Sequence, residues 1–507
     1  MSAESSPGAA LAPAAASHGS DAGETATLAK GGRTSFFGYV LRLAARLPFL
    51  FIAGRLYGAD SLGRFAYATM VVELVAMLAT LGLKRGLAEE MAARPGQDAH
   101  AMADGMLLGL LAGLAGAGLL LLAPQLVFPN GPLHPLDRSF ALIVPAIVLS
   151  DVALAALAFH HDVAAQVRAR ALVEPWVLSI AALGLAFTLF KGDGMLIAYL
   201  LSMAAACLAS LVPLWRRFGW PAGWRLDVAR LWRMARAYVP LAGADLAEWG
   251  ARRLDIFILG RFASAEAVGI YYVAQQVTTL PMRLKSSFDP ILGPVLTRNL
   301  AAGNIAKVAA HVRQISFWVA AAQLGVVLAL GIPGAALLGL FGPVFASGVT
   351  VLALLLVVEL FAAQAAVAEG ALIYVARHAN LLWSAAGIAM QAGLSLLLVP
   401  RFGGAGAAAA LAASALMLSV AKSRLLARTL GHVVSGWRPS LLLAGVPAFG
   451  IGMAMLQLAE PFQLTLGLAA ILGSYGAIIW RFGFKGADRL LFSKQLRKLD
   501  EDAPPAA

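Results

Sequence analysis

From Phe36 almost to the end of the chain, apolar residues run in stretches of about 20, the helical length that crosses a hydrocarbon core of about 30 Å. Short polar segments separate them. The pattern predicts about fourteen membrane-spanning helices, centred near Leu47, Val72, Leu114, Ile147, Leu183, Ala205, Leu246, Ala274, Gly325, Leu360, Met390, Leu411, Val446 and Ala470. Residues 1–33 are rich in Ala, Ser, Pro and Gly, cannot bury enough apolar surface to fold, and are expected to form a disordered tail. They lack the basic start, short apolar core and small-residue cleavage site of a secretory signal.

Composition agrees with a bilayer solvent: of 507 residues, 60% are hydrophobic and 13% charged, more apolar side chain than a water-soluble core can hide. Loop charge then sets the orientation. One side holds Lys84, Arg85 and Arg94, then Arg168 and Arg170, six arginines between 216 and 236, and Arg283 to Arg313. Arg377, the run from Lys422 to Arg438 and the tail from Arg481 to Lys498 continue that side. Opposite loops carry single residues such as Arg138, Lys191, Arg261 and Arg401. Because basic loops stay in the cytoplasm, both termini are expected there, in a multi-pass protein of the inner membrane. The net charge of +12 follows from this topology, so nucleic acid is not an expected partner. Cys207 stands alone and cannot form a disulfide within the chain. His160 and His161 diverge on a helix with no carboxylate or thiol at ligand spacing, and neither a metal nor a cofactor is predicted.

One phrase occurs twice. "FIAGRLYGADSLG", residues 51–63, and "FILGRFASAEAVG", residues 257–269, align without a gap at a shift of 206, with six of thirteen positions identical. The matches include Gly54 with Gly260, Arg55 with Arg261, Ala59 with Ala265 and Gly63 with Gly269, while Asp60 aligns with Glu266. Apolarity alone does not force glycine, arginine and an acid to recur in a turn. Six spans separate the copies, so they share one orientation, and the expectation is an all-α membrane protein of two parallel-repeat bundles around a central cavity. The predicted divisions are the 1–33 tail, an N-lobe over 34–215, a linker over 216–237, a C-lobe over 238–430, two extra spans over 431–482 and a cytoplasmic tail over 483–507. The linker, "RRFGWPAGWRLDVARLWRMARA", mixes three tryptophans with six arginines. It is expected to lie at the headgroup level, to take anionic lipids as partners and to join the lobes flexibly.

With "GRLYGADSLGRFAYA", "LDIFILGRFASAEAVGIYYVAQQ" and "RLKSSFDPILGPVLTRNLAAG", the sequence resembles the polysaccharide-exporter branch of the multidrug/oligosaccharidyl-lipid/polysaccharide exporter superfamily, the Wzx-like repeat-unit flippases, over residues 34 to about 480. The resemblance implies a two-lobed bundle that opens alternately to each side and moves an undecaprenyl-pyrophosphate-linked oligosaccharide outward, and it implies a transporter, not an enzyme. Further partners it implies are a polysaccharide polymerase and chain-length proteins. Lipid II flippases of the same superfamily also carry two extra spans.

Ionisable groups inside spans cost about 2.5–3.5 kcal/mol each on insertion scales, so they are candidates for function. Asp245, Glu248, Arg252 and Asp255 are spaced three, four and three apart and share one face of the seventh span. Arg42 and Arg46 share a face of the first span, and the 206-residue shift sends Arg46 to Arg252 and Arg42 to Glu248. Guanidinium forks suit a pyrophosphate, so Arg46 and Arg252, assisted by Arg42, are predicted to clamp it, with Glu248 or Asp255 holding them when the cavity is empty. The packing alternative pairs the same arginines with Glu248 and Asp255. Gln275 and Gln276 are candidates for sugar hydroxyls. Glu73, Glu359 and Glu369 are candidate coupling-ion sites, whereas Glu174 reads as an interfacial partner of Arg170. A multidrug exporter of the same superfamily would favour an acidic cavity. A polymerase or ligase would need a large outer loop or a polar outer cluster, and the longest outer loop, "APQLVFPNGPLHPLDR", has about 16 residues and four prolines.

Overall fold

The structure, a computed structural model, describes residues 47–129, 136–279, 281, 296–485 and 488, without the side chains of residues 247, 248, 251 and 252. Among the described residues there are helices and no strand. They are labelled α1 (47–57), α2 (Gly58–Ala79), α3 (Leu83–Ala92), α4 (Asp98–Leu122), α5 (Ile143–Phe159), α6 (Glu174–Leu185), α7 (Gly194–Phe218), α8 (Val228–Phe262) and α9 (Ala265–Val277). Beyond them come α10 (Ile305–Gly331), α11 (Val349–Val375), α12 (377–402), α13 (404–430), α14 (Pro439–Met455) and α15 (Leu468–Ile478). Glycines mark the breaks: Gly58 at φ +84 separates α1 from α2, and Gly403 at φ +52 separates α12 from α13. The second break is a hairpin, because Ser414 Oγ donates to the Gly387 carbonyl at 2.8 Å and Gly406 sits against the backbone of Leu398.

Every predicted span centre lies on a helix. By length and composition, eight described segments can cross a membrane, and two of them, Leu47–Ala92 and Arg377–Leu430, each hold two predicted centres. The other four centres lie on helices that are shorter (α6, α9, α14) or more heavily charged (α8), so the count of fourteen rests on the sequence pattern. The protein is a multi-pass membrane protein.

Two lobes meet along a seam of α2 against α8 and α9. Close approach is made possible by small residues, the usual device where helices pack in lipid. Gly63 and Gly269 touch backbone to backbone, and Gly260 accepts the Tyr67 ring, which stacks on Phe257 at 6.3 Å. At one end of the bundle the basic loops gather: His160 reaches Asp98 at 3.1 Å and Arg230 reaches Asp104. At the other end Arg55 Nε donates to the Leu340 carbonyl at 2.8 Å, Phe51 stacks on Phe341 at 4.7 Å and Arg64 pairs with Asp137. The two extra helices form a side layer on α10, where Leu441, Ala444, Ile471 and Tyr475 bury Phe317, Ala320 and Ala321. Tyr475 Oη donates to the Ala321 carbonyl at 2.8 Å, which satisfies a hydroxyl that lipid could not.

Candidate functional site at the lobe seam

A small pocket of about 60 Å³, partly open to solvent, lies where α1, α2, α6 and α7 of the N-lobe face α9 of the C-lobe. Phe49, Leu50, Phe65, Pro175 and Leu178 form its apolar wall, and Thr69, Glu73, Glu174, Tyr199, Tyr272 and Gln276 supply its polar groups. Of the residues predicted from sequence, the structure therefore brings Glu73 and Gln276 together. Tyr199 Oη donates to Glu73 Oε1 at 3.3 Å, and no described cation pairs with Glu73.

Glu174 pairs with Arg170 as the spacing predicts, and the pair is part of a longer, half-buried charge chain. Arg170 Nη1 donates to Glu174 Oε2 at 3.1 Å while its Nη2 pairs with Asp151, and Lys84 Nζ lies 2.7 Å from the other Asp151 oxygen. The physical reason is a wide helical turn, Arg168–Val173, just before α6. Such turns shift the register of a helix and often re-aim side chains at functional sites. Here one swings Arg170 inward between α5 and α7, where Met203 Sδ also lies 3.8 Å away. Ser202 Oγ donates to the Glu174 carbonyl at 2.6 Å and ties α7 to the start of α6. Chained charges of alternating sign keep each half-buried ion compensated, so Glu174 faces the pocket already partnered.

The remaining candidates scatter. Asp255, 1% exposed, accepts from Tyr271 Oη at 2.6 Å and Gln275 Nε2 at 3.2 Å, so Gln275 is engaged within the C-lobe instead of lining the pocket. Asp255 Oδ1 and Gln275 Oε1 have no hydrogen-bond partner among the described residues. Asp245 reaches across the seam to Arg85 at 3.0 Å. Glu369 pairs with the buried Lys422 at 2.9 Å, and the same ammonium donates to Ser384 Oγ at 2.9 Å. Glu359 is buried in α11. Arg42 and Arg46 lie outside the described residues, as do the side chains of Glu248 and Arg252.

Sequence reasoning missed Asp151, Tyr199 and Tyr272. Asp151 carried the signal used elsewhere, an ionisable group inside a predicted span, and the i,i+4 pair Arg170 and Glu174 pointed toward it. The tyrosines carried none, because aromatic residues in apolar runs are ordinary core. Among the described residues no cluster of ligating side chains suited to a metal occurs.

The family described as polysaccharide biosynthesis protein matches residues 52–320, more than half of the chain. No curated protein matches. A structure of the lipid II flippase MurJ in an inward closed conformation superposes with a TM-score of 0.68 at 12% identity, covering 89% of this chain and 98% of that one. An inward-facing multidrug resistance MATE family transporter of the MOP superfamily gives a TM-score of 0.61 at 15% identity, covering 77% and 94%. At these identities the likeness concerns the fold, a two-lobed arrangement shared with both.

Proposed function

The chain belongs to the polysaccharide biosynthesis protein family, and on that premise we propose that it is a flippase carrying a lipid-linked oligosaccharide across the cytoplasmic membrane by alternating access. The observation that supports this reading, beside the family, is the pocket on the seam itself, lined by both lobes, while the Arg55 and Phe51 contacts join the lobes at the end away from the basic loops. Rocking of two lobes about such a seam exposes the same groups first to one side and then to the other. In this scheme the basic loops and both termini face the cytoplasm, the headgroup sugars enter from that side, and a polymerase with its chain-length partner consumes the delivered unit.

Arg46 and Arg252 hold the diphosphate as a two-sided clamp, Arg42 assists, and Glu248 orients the guanidiniums between cycles. Gln276 and Tyr272 meet sugar hydroxyls at the pocket wall. Glu73, the pocket carboxylate without a described counter-charge, is the site for a coupling proton or cation, ahead of Glu359 and of Glu369, which Lys422 already occupies. A charge-assisted hydrogen bond in a partly dehydrated cavity is worth roughly 1.5–3 kcal/mol, so losing either arginine lowers substrate affinity about tenfold or more. The test measures membrane expression, thermal stability and polysaccharide export for Arg46→Ala, Arg252→Ala and the double variant. Export falls with expression intact if the clamp is right. Normal export by a well-expressed double variant overturns it.

One observation favours a second reading, export of cationic small molecules: the polar lining of the pocket includes two carboxylates, Glu73 and Glu174. Resistance to cationic drugs, lost in Glu73→Gln while export of polysaccharide is untouched, selects that reading over the flippase.

A further inference from the structure

The segment between the lobes is docked, not slack. Asp104 on α4, fully buried, accepts Trp224 Nε1 at 2.9 Å and Arg230 Nη2 at 2.8 Å on one oxygen. Its other oxygen meets Arg230 Nε at 2.6 Å and Arg94 Nη1 at 3.1 Å. His100 Nε2 lies 2.9 Å from the Ala222 carbonyl, and Asp227 caps α8 by accepting the Arg230 N–H at 3.1 Å. About two turns past Arg230, Tyr238 packs on Gly86 and donates to Glu90 at 3.1 Å. Residues 222–238 are thus fixed to the N-lobe, although they lead into the C-lobe.

Asp104 uses only one of the six linker arginines. Arg216, Arg217, Arg225, Arg233 and Arg236 are exposed, and none lies at ion-pair distance from a described carboxylate. Tryptophans and aliphatic side chains are exposed among them: Trp220 is 81% exposed, Val228 70% and Trp232 68%, and Trp215 stacks on Trp220 at 5.1 Å. In the first turns of α8, Leu231, Met234 and Tyr238 point inward while Trp232, Arg233 and Arg236 point outward. A water-facing helix hides its aromatic residues on the inner face. This one displays them beside guanidiniums, the pairing that suits a bilayer boundary, where rings enter the headgroup layer and guanidiniums meet phosphate.

We propose that this outward face, held in register by Asp104, is a docking surface for anionic phospholipid headgroups of the surrounding membrane. The bound lipid then sits on a segment that is fixed to the N-lobe and runs into α8, so headgroup charge acts on a docked junction of the two lobes and not on a loose tether. Asp104 touches no lipid and serves as a positioning residue. The surface is independent of what the seam pocket carries.

The experiment uses the full-length protein in nanodiscs of phosphatidylcholine, with or without phosphatidylglycerol. Thermal unfolding and native mass spectrometry report stabilisation and bound anionic lipid. Phosphatidylglycerol is expected to raise the unfolding temperature, less so at high salt because the contact is ionic. The variant R216Q/R217Q/R225Q/R233Q/R236Q should keep its unfolding temperature in phosphatidylcholine, lose the rise and bind phosphatidylglycerol at least tenfold more weakly. Asp104→Asn keeps all five arginines and should nevertheless lose most of the rise. If that variant folds poorly, Trp224→Phe with His100→Ala loosens the same docking and should do likewise. An undiminished rise in the five-arginine variant overturns the lipid surface, and an undiminished rise in both docking variants overturns the role of Asp104.

Discussion

Gly63 and Gly269 meet backbone to backbone across the lobe seam, and each is the other's counterpart at the 206-residue shift. A Cβ on Gly63 would run into the Ala265 carbonyl, and one on Gly269 would run into the Ala59 carbonyl, Ala59 and Ala265 being counterparts as well. A contact from i to j repeated from j to i is the mark of a two-fold axis through the interface. This explains why the phrase recurs in the sequence: the seam is self-complementary, so both copies must keep the same small residues. Away from the axis the symmetry breaks, since Gly54 sits against the Phe341 carbonyl whereas its counterpart Gly260 sits against the Tyr67 ring.

Gly63→Ala and Gly269→Ala should each destabilise the protein by about 1–3 kcal/mol, because the colliding atoms are backbone and cannot turn aside. The double variant should cost less than the sum, since spreading the helices for one methyl makes room for the other. Gly118→Ala, on a helix with open space around it, is the control and should be neutral or slightly stabilising. Thermal unfolding of the four purified proteins in one detergent checks all three statements.

Arg170 is the centre of the N-lobe charge chain, and removing it strands two acids. Arg170→Met leaves Glu174 without its cation and Asp151 with Lys84 alone. Stranding one side of an ion pair is costly where water is mostly excluded, less so in this half-buried chain than in a fully buried one, so folded protein recovered from the membrane should drop. Arg170→Met combined with Asp151→Asn and Glu174→Gln should recover much of it. Recovery followed by size-exclusion profiles separates this electrostatic cost from a simple packing loss, which the triple variant would not repair.

The helices and the two-lobed plan were legible because they rest on strong signals: run length for spans and a gapless repeat for the lobes. The site was legible only in part. Glu73 and Gln276 stood out as polar groups in apolar helices, but nothing local announces that α6 and α9 bring Glu174 and Tyr272 beside them. The linker was misjudged as a flexible joint for a related reason. Its charge suggested solvent and lipid, and the one carboxylate that captures Arg230 is Asp104, 126 positions away on α4. Long-range pairing of single charges leaves no periodic trace.

Asp488 gives the C-terminal segment a pH-dependent anchor. Burial pushes its carboxyl up, but hydrogen bonds from Arg438 at 2.7 Å and the Lys485 N–H at 3.1 Å, the Arg438 charge and Trp318 Nε1 at 3.0 Å outweigh it and hold the carboxyl below the usual carboxylate range. A carboxyl depressed in the folded state contributes stability that is complete above its ordinary pKa and lost as pH falls through the lowered one. The segment should therefore stay docked from neutral pH down to about 4 and release only below that. Amide hydrogen exchange at Lys485 and Asp488, measured across this range, should show protection lost at the acidic end, and Asp488→Asn should lack that protection even at neutral pH.

At the end opposite the basic loops, α1 is joined to the connection between α10 and α11 by the Phe51–Phe341 stack at 4.7 Å and the Arg55 bond to Leu340. If transport opens this end, these contacts must part in every cycle. In a Cys207→Ser background, Phe51→Cys with Phe341→Cys bridged by a short cleavable bis-maleimide should stop polysaccharide export, and cleavage of the bridge should restore it. Phe128→Cys with Phe140→Cys joins two rings 6.3 Å apart within the N-lobe, and bridging them should leave export unchanged. The pair of results separates a moving seam from general damage by the reagent. Full export with the 51–341 bridge in place would mean that this end stays shut and that cargo leaves by another route.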